Sequence, residues 1–246
     1  LWLERPYFGI ILSLGTFICL KNAEKFKKND YYLLALLFIG FSIYISARLS
    51  ILINCLLIFI YLLKSYRIQR NTKIWTGFGF VLLIAIALGL SDNLMSRMKI
   101  TNDLDKTTHL IKAYEPRFVI WPCAMEIVEN DLNLLMGLSG FNEYDEKLTS
   151  CYAETIEKPD KREYYLERKF NTHNQFLDIL LIGGILPLLV LILSFFHVWF
   201  SKQYSLELKI VFLMFFLFFL VENALHRQLG CYLFGIFVAL YSKKNE

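Results

Sequence analysis

The chain has 246 residues, 56% hydrophobic, 16% aromatic and only 20% charged, with a formal net charge of +4 and a mean hydropathy of +0.45. An ordinary soluble domain is about 45–50% apolar and about 25% charged, so this chain holds more apolar mass than one core of its length consumes. Disordered, collagen-like and coiled-coil classes are excluded on that ground.

The apolar residues come in blocks. Tyr7–Leu20 opens the series and is followed by the basic cluster Lys21, Lys25, Lys27 and Lys28. Tyr31–Ala47 and Leu49–Leu63 then flank Arg48, and neither block contains Asp, Glu, Lys or Arg. A second basic cluster, Lys64, Arg67, Arg70 and Lys73, precedes the uncharged block Ile74–Leu90. A soluble helix of such length would carry a polar stripe, and roughly 17–25 apolar residues cross a bilayer core. The fold class is therefore all-α, a polytopic helical membrane protein.

Residues 91–176 interrupt the pattern with 11 Lys/Arg against 15 Asp/Glu, whereas the rest of the chain has 15 against 7. Ile179–Phe200 resumes it as one long uncharged span, followed by Lys202 and Lys209, the block Leu206–Val221, the polar turn Glu222–Gly230, the block Leu229–Tyr241, and Lys243 and Lys244. About seven spans place all the basic clusters on one side, which the positive-inside rule makes cytoplasmic. The excess of positive charge is then an orientation signal and gives no nucleic-acid footprint. The expected division is a bundle of about four spans at 1–90, an extracytoplasmic loop with short helices at 91–172, and a bundle of about three spans at 173–246. The chain begins at Leu1 and enters an apolar block without the basic n-region and cleavage site of a signal peptide, so a truncation that removed preceding spans is expected.

Candidate functional residues are the ionisable ones gathered at the outer face. Arg48 lies between Ser46 and Ser50 in a tight turn, either as an interfacial snorkelling arginine or as a clamp for a phosphate that small hydroxyl neighbours let approach. Arg117, Trp121, Ala124 and Val128 share a stripe at helical spacing after Pro116, although Pro122 is expected to disturb that helix or move its start to about residue 121. Trp121 reads as a membrane-surface anchor, or with Arg117 as a platform for a lipid-linked sugar phosphate. His173 follows Asn171 and Thr172, either of which is a plausible N-cap, so His173 and Asn174 are expected in the first exposed turn of a helix. Glu222, Asn223, His226 and Arg227 form a further polar turn on the same side, from which Glu222 and His226 are candidate substrate contacts.

Asp103-Leu-Asp105 is an Asp-x-Asp pair of the kind that holds divalent cations on nucleotide diphosphates, but it stands in an acid-rich loop on the wrong side for nucleotide sugars. His109 and His197 have no partners at metal-ligand spacing, so no metal and no cofactor is expected. Cys19, Cys55 and Cys231 fall in or beside spans as packing residues, while Cys123 and Cys151 share the outer segment, where a disulfide is allowed in an oxidising compartment.

These landmarks together resemble the O-antigen ligase and O-antigen polymerase superfamily. The Ser46-Ala-Arg-Leu-Ser50 turn is similar to one motif, and Arg117, Trp121, Ala124 and the loop Gly137-Leu-Ser-Gly-Phe141 to a second. His173, Asn174, Phe176, Leu177 and Gly184 are similar to a third. The chain corresponds to the C-terminal part of a longer member. It departs from the pattern at Ile182, where an acidic residue is common, at Pro187, which replaces a glycine, and at Pro122.

The resemblance implies a fold like the C-type membrane glycosyltransferases and a transferase of the bacterial inner membrane with its active site facing the periplasm. It implies an undecaprenyl-diphosphate-linked glycan as donor and a lipid A-core, lipid-linked or glycan acceptor, with membrane lipids as surroundings. Arg48 and Arg117 would bind the diphosphate, and His173 would act as general base or position the diphosphate. Trp121, Asn174, Ser46 and Ser50 would line the substrate site. A repeat-unit polymerase shares the landmarks. A flippase for the same lipid-linked anion is the reading of another class, and charges near mid-membrane would favour it.

Overall fold

In a computed structural model, residues 4–64 and 116–242 are described, and the chain divides into two compact units, Leu1–Met95 and Ser96–Glu246. The block Ile74–Leu90, the Asp103/Asp105 pair, His109 and the basic residues Arg67, Arg70, Lys73, Lys243 and Lys244 lie outside the described residues. Every named element among the described residues is helical, and the β content is one isolated bridge between Asn133 and Gly137.

The first unit contains α1 (Arg5–Phe26), α2 (Asp30–Tyr44) and α3 (Arg48–Lys64). Pro6 stands in the first turn of α1, where its missing N–H costs nothing, and Lys27 ends the helix in the left-handed region at φ 54°. The helix buries Tyr7, Ile10, Leu14 and Phe17, a 3–4–3 spacing that aligns them along one side. By length and composition α1 can cross a membrane, since 22 residues rise about 33 Å. The helices α2, Arg48–Leu62 of α3, and two later ones are apolar but shorter. α2 leaves Leu33, Leu36, Leu37 and Phe41 exposed while burying Ala35 and Ser42, so its outward face is at least as apolar as its inward one.

The second unit contains α4 (Arg117–Asn130), α5 (Phe141–Thr155), α6 (Pro159–Arg168), α7 (Gln175–Gly183), α8 (Ile185–Phe200), α9 (Leu206–Phe219), a 3-10 turn (Ala224–His226) and α10 (Gln228–Tyr241). One core joins Ile120, Cys123, Ala124 and Ile127 of α4 to Tyr144, Leu148 and Tyr152 of α5, Tyr165 of α6 and Leu181 of α7. The 144/148/152 spacing is a single stripe, and α5 carries acids on its other faces, as a helix in water does. A disulfide between Cys123 and Cys151 ties α4 to α5. Rings of Phe176, Phe195, Phe212, Phe216 and Phe234 meet at centroid distances of 5.0–5.7 Å among themselves and with Phe215, and they knit α7 to α10.

Three expectations need correction. α4 starts at Arg117 and continues through Pro122. Pro122 removes one ladder bond, to the carbonyl of Phe118, and both residues lie on the exposed side while Val119, Ile120, Cys123 and Ala124 hold the helix by burial. The block Ile179–Phe200 is not one continuous helix, because the chain breaks between α7 and α8 at Gly184, whose φ is +77°. A Cβ on Gly184 would overlap the carbonyl of Leu135, and one on Gly137, at φ +76°, would lie 2.5 Å from the carbonyl oxygen of Ile182. The two glycines let the 133–138 loop press into the break, where Leu138 N donates to Leu181 O and Ile185 N to Leu134 O, each at 2.8 Å. Backbone groups freed by the broken helix thus find partners, as an apolar setting demands.

The third correction concerns the start of α7. Its N-cap is Asn174, whose Oδ1 accepts from Phe176 N at 3.0 Å and Leu177 N at 3.1 Å, in place of Thr172 or Asn171. Asn171 is occupied otherwise, its Oδ1 accepting from His173 N at 3.1 Å, and the Thr172 hydroxyl is drawn to other partners. His173 therefore precedes the helix, outside its first turn.

Candidate functional site

The site of the second unit is built on the turn 171–174. His173 has φ +46°, a conformation that costs a non-glycine residue roughly 1–2 kcal/mol and persists only where neighbours over-determine it. They do so here through buried Thr172. Its N–H donates to the Tyr144 hydroxyl at 3.1 Å, its carbonyl accepts from Trp121 Nε1 at 2.9 Å, and its hydroxyl lies 3.0 Å from both Asp178 Oδ1 and the Asn174 carbonyl. The Asn223 amide stands 3.4 Å from the same hydroxyl.

Asp178, in the first turn of α7, is 0% exposed. An isolated carboxylate there would cost many kcal/mol, so its surroundings must answer the charge. Tyr144 donates to Oδ1 at 2.5 Å, Thr172 to the same oxygen, and His226 Nε2 approaches Oδ2 at 2.6 Å. That last approach is short without being aligned as a hydrogen bond, so it is a close imidazole–carboxylate contact. Burial first, and the adjacent carboxylate second, push the Tyr144 hydroxyl well above the usual phenol range and keep it a donor.

Glu222 is 2% exposed and follows α9. His173 Nδ1 lies 3.5 Å from its Oε1, and no partner for the other ring nitrogen is found among the described residues. The imidazole is about a quarter exposed. The preceding residue, Val221, accepts at its carbonyl from Arg117 Nη2 at 2.8 Å, a bond that uses one of the five guanidinium donors. Leu225 N donates to Gln175 Oε1 at 2.6 Å, which fastens the strap 221–226 to α7.

Arg117, Trp121, His173, Asn174, Glu222 and His226 are therefore brought together within this unit, around one short strap and one turn. Trp121 spends its indole N–H on the turn itself and keeps its ring partly exposed; Asn174 acts as a cap. Sequence reasoning missed Asp178, Tyr144 and Thr172. A lone acid at the head of the most apolar stretch was a usable signal for Asp178, but nothing local marks Tyr144, whose partner is 34 positions away.

Arg48 belongs to the first unit, where it is exposed as the first residue of α3. Ser46 has φ +54° in the turn before it. Ser50 is turned inward, which corrects the reading of its hydroxyl as a phosphate neighbour: it is buried, donates to the Gly9 carbonyl at 2.7 Å and lies 2.7 Å from the Ser13 hydroxyl. With Ser42 and Asn54 these groups form a neutral hydrogen-bonded cluster between helices. Among the described residues no group of three or more His, Cys, Asp or Glu is placed to hold a metal ion.

The family model described as O-Antigen ligase matches residues 33–192. The chain belongs to the O-antigen ligase family. This is a family of bacterial membrane proteins, and membership makes the chain a glycosyltransferase-like enzyme of polysaccharide biosynthesis. No curated protein and no solved structure matches the chain. The O-antigen ligase match includes Arg48, Arg117, Trp121, His173, Asn174 and Asp178, whereas the strap with Glu222 and His226 lies beyond it.

Proposed function

We propose that this O-antigen ligase family member transfers a glycan from undecaprenyl diphosphate to a lipid A-core or similar acceptor, at the periplasmic face of the bacterial inner membrane. The observation that carries the reading is the joining of Arg117 and the His173–Glu222 pair on adjacent residues of one strap. A guanidinium and a carboxylate-backed imidazole, joined to neighbouring residues of one strap, supply the two things this transfer needs: positive charge for a diphosphate and a base for a hydroxyl.

In this mechanism the acceptor hydroxyl gives its proton to His173 Nε2 as its oxygen bonds to the anomeric carbon. The bond from that carbon to the diphosphate oxygen breaks, and polyprenyl diphosphate leaves with the bonding pair, its charge met by guanidinium groups. Glu222 stabilises the imidazolium. Arg48 is assigned to diphosphate binding by family resemblance. Its position at a helix start, against the dipole, costs it about 0.3–1 kcal/mol and makes an anion welcome there. The exposed apolar faces of α2 and α8 support a lipid setting within a bundle of about seven spans, like that of C-type glycosyltransferases. The Cys123–Cys151 disulfide supports an oxidising compartment for α4 and α5.

In the full-length protein, Arg48→Ala, Arg117→Ala and His173→Ala are each expected to abolish surface polysaccharide while expression and membrane insertion stay intact. Normal polysaccharide in all three would overturn the reading. A deletion strain should accumulate long polymer on the lipid carrier; single capped repeats would assign the chain to polymerisation instead.

A further inference from the structure

One pair of side chains beside this site has no part in the transfer step. Phe141, the first residue of α5, is 59% exposed, and its ring meets the His226 imidazole edge-on at a centroid distance of 5.3 Å. His226 is itself held from behind, because Asp178 Oδ2 lies 2.6 Å from Nε2. Although the two are not aligned as a hydrogen bond, a carboxylate oxygen this close attracts an N–H and repels a lone pair, which favours the tautomer with its proton on Nε2. In that neutral tautomer Nδ1 keeps its lone pair, and no partner for it is found among the described residues. The side chain retains 23% exposure.

The segments that carry the two rings are tied to the interior. Asp178 is buried and tied to Tyr144 and Thr172. Phe141 follows Gly140, at φ +121°, in the loop that Leu138 pins to Leu181. An exposed aromatic ring set at an angle to a hydrogen-bond acceptor offers an apolar face with a polar group at its edge. It matches one ligand class well. A pyranose has an apolar C–H face that lies on an aromatic ring and hydroxyls at its rim that donate to a nitrogen lone pair.

We propose that Phe141 and His226, with Asp178 orienting the imidazole, form a subsite for one pyranose ring of the glycan. The subsite rests on the glycosyl-transfer reading and names where a sugar is held. That sugar comes from the acceptor or from the donor glycan, and kinetics separate the two sources.

The test uses the full-length protein in lipid nanodiscs, with rough lipopolysaccharide as acceptor and an undecaprenyl-diphosphate-linked repeat unit as donor. Phe141→Ala and His226→Ala are each expected to raise the KM of one of the two substrates tenfold or more and that of the other less than twofold. Phe141→Trp should restore most of the loss, and Asp178→Asn should raise the same KM as His226→Ala. Phe141 is exposed, so its variants test the subsite even where a change at Asp178 impairs folding.

Saturation-transfer NMR with the delipidated core oligosaccharide and the delipidated repeat unit gives a readout free of catalysis. Signal from one of them should vanish in Phe141→Ala and persist in Arg117→Ala. Loss of turnover without a KM split, or no saturation transfer from either saccharide to the wild-type protein, overturns the subsite while leaving the transferase reading intact. Saccharide binding in a protein that transfers nothing overturns the transferase reading and leaves the subsite.

Discussion

The two units bury polar groups in opposite ways. In the first, Ser13, Ser42, Ser50 and Asn54 are buried, neutral and bonded mostly to one another. In the second, two carboxylates, Asp178 and Glu222, are buried and each faces an imidazole that keeps part of its surface exposed. Hydroxyls and amides between apolar helices are worth roughly 0.6 kcal/mol each and let backbones approach closely, so they read as adhesive. A buried charge costs several kcal/mol unless answered, so a protein keeps it where chemistry requires it.

The contrast can be broken at its strongest point. Asp178→Ala should destabilise the second unit by about 3–5 kcal/mol and abolish transfer, because Tyr144, Thr172 and His226 lose their common partner. Chemical denaturation in detergent measures the first effect and glycan transfer the second; a variant within 1 kcal/mol of wild type would contradict the buried-charge account. Next in size, replacing Cys123 and Cys151 together by Ser should cost roughly 3–4 kcal/mol, the chain entropy of opening a loop whose ends are 28 residues apart. The loss should be confined to the second unit, and proteolysis in the 131–140 loop would report it.

Tyr144→Phe should cost about 1.5–3 kcal/mol, as expected for a hydrogen bond to a charged group. It also carries a pH signature. Because the phenol is held above its ordinary value, its contribution is complete below about pH 10 and is lost as pH rises beyond it. Wild-type protein should therefore lose stability in alkali more steeply than Tyr144→Phe, and identical alkaline profiles would refute the burial of this hydroxyl against Asp178. Smallest of all, Ser13→Ala in the first unit should cost about 1 kcal/mol and leave transfer unchanged, and a large loss of activity there would erase the distinction between the units.

Much of this was legible in the sequence because single residues carried it. Apolar blocks without charge gave an all-helical chain, and Arg117, His173, Glu222 and His226 stood out as ionisable residues among apolar ones. The break at Gly184 was not legible. A glycine in an uncharged run is usually tolerated inside a helix, and what ends α7 is the 133–138 loop, supplied from another part of the chain. The role of Ser50 was hidden for a similar reason, since its hydroxyl answers the Gly9 carbonyl 41 positions away.

By itself the sequence determined the helical class, the polar turns where chemistry gathers and, through its motifs, the O-antigen ligase family, because hydropathy and motif spacing are properties of neighbours along the chain. Only the tertiary structure decided which carboxylate faces which histidine, which cap starts α7, and that Tyr144 and Thr172 hold the turn on which His173 sits. Those pairings depend on side chains meeting in space at hydrogen-bond distance, and a buried charge selects its partners from whatever the fold brings within reach.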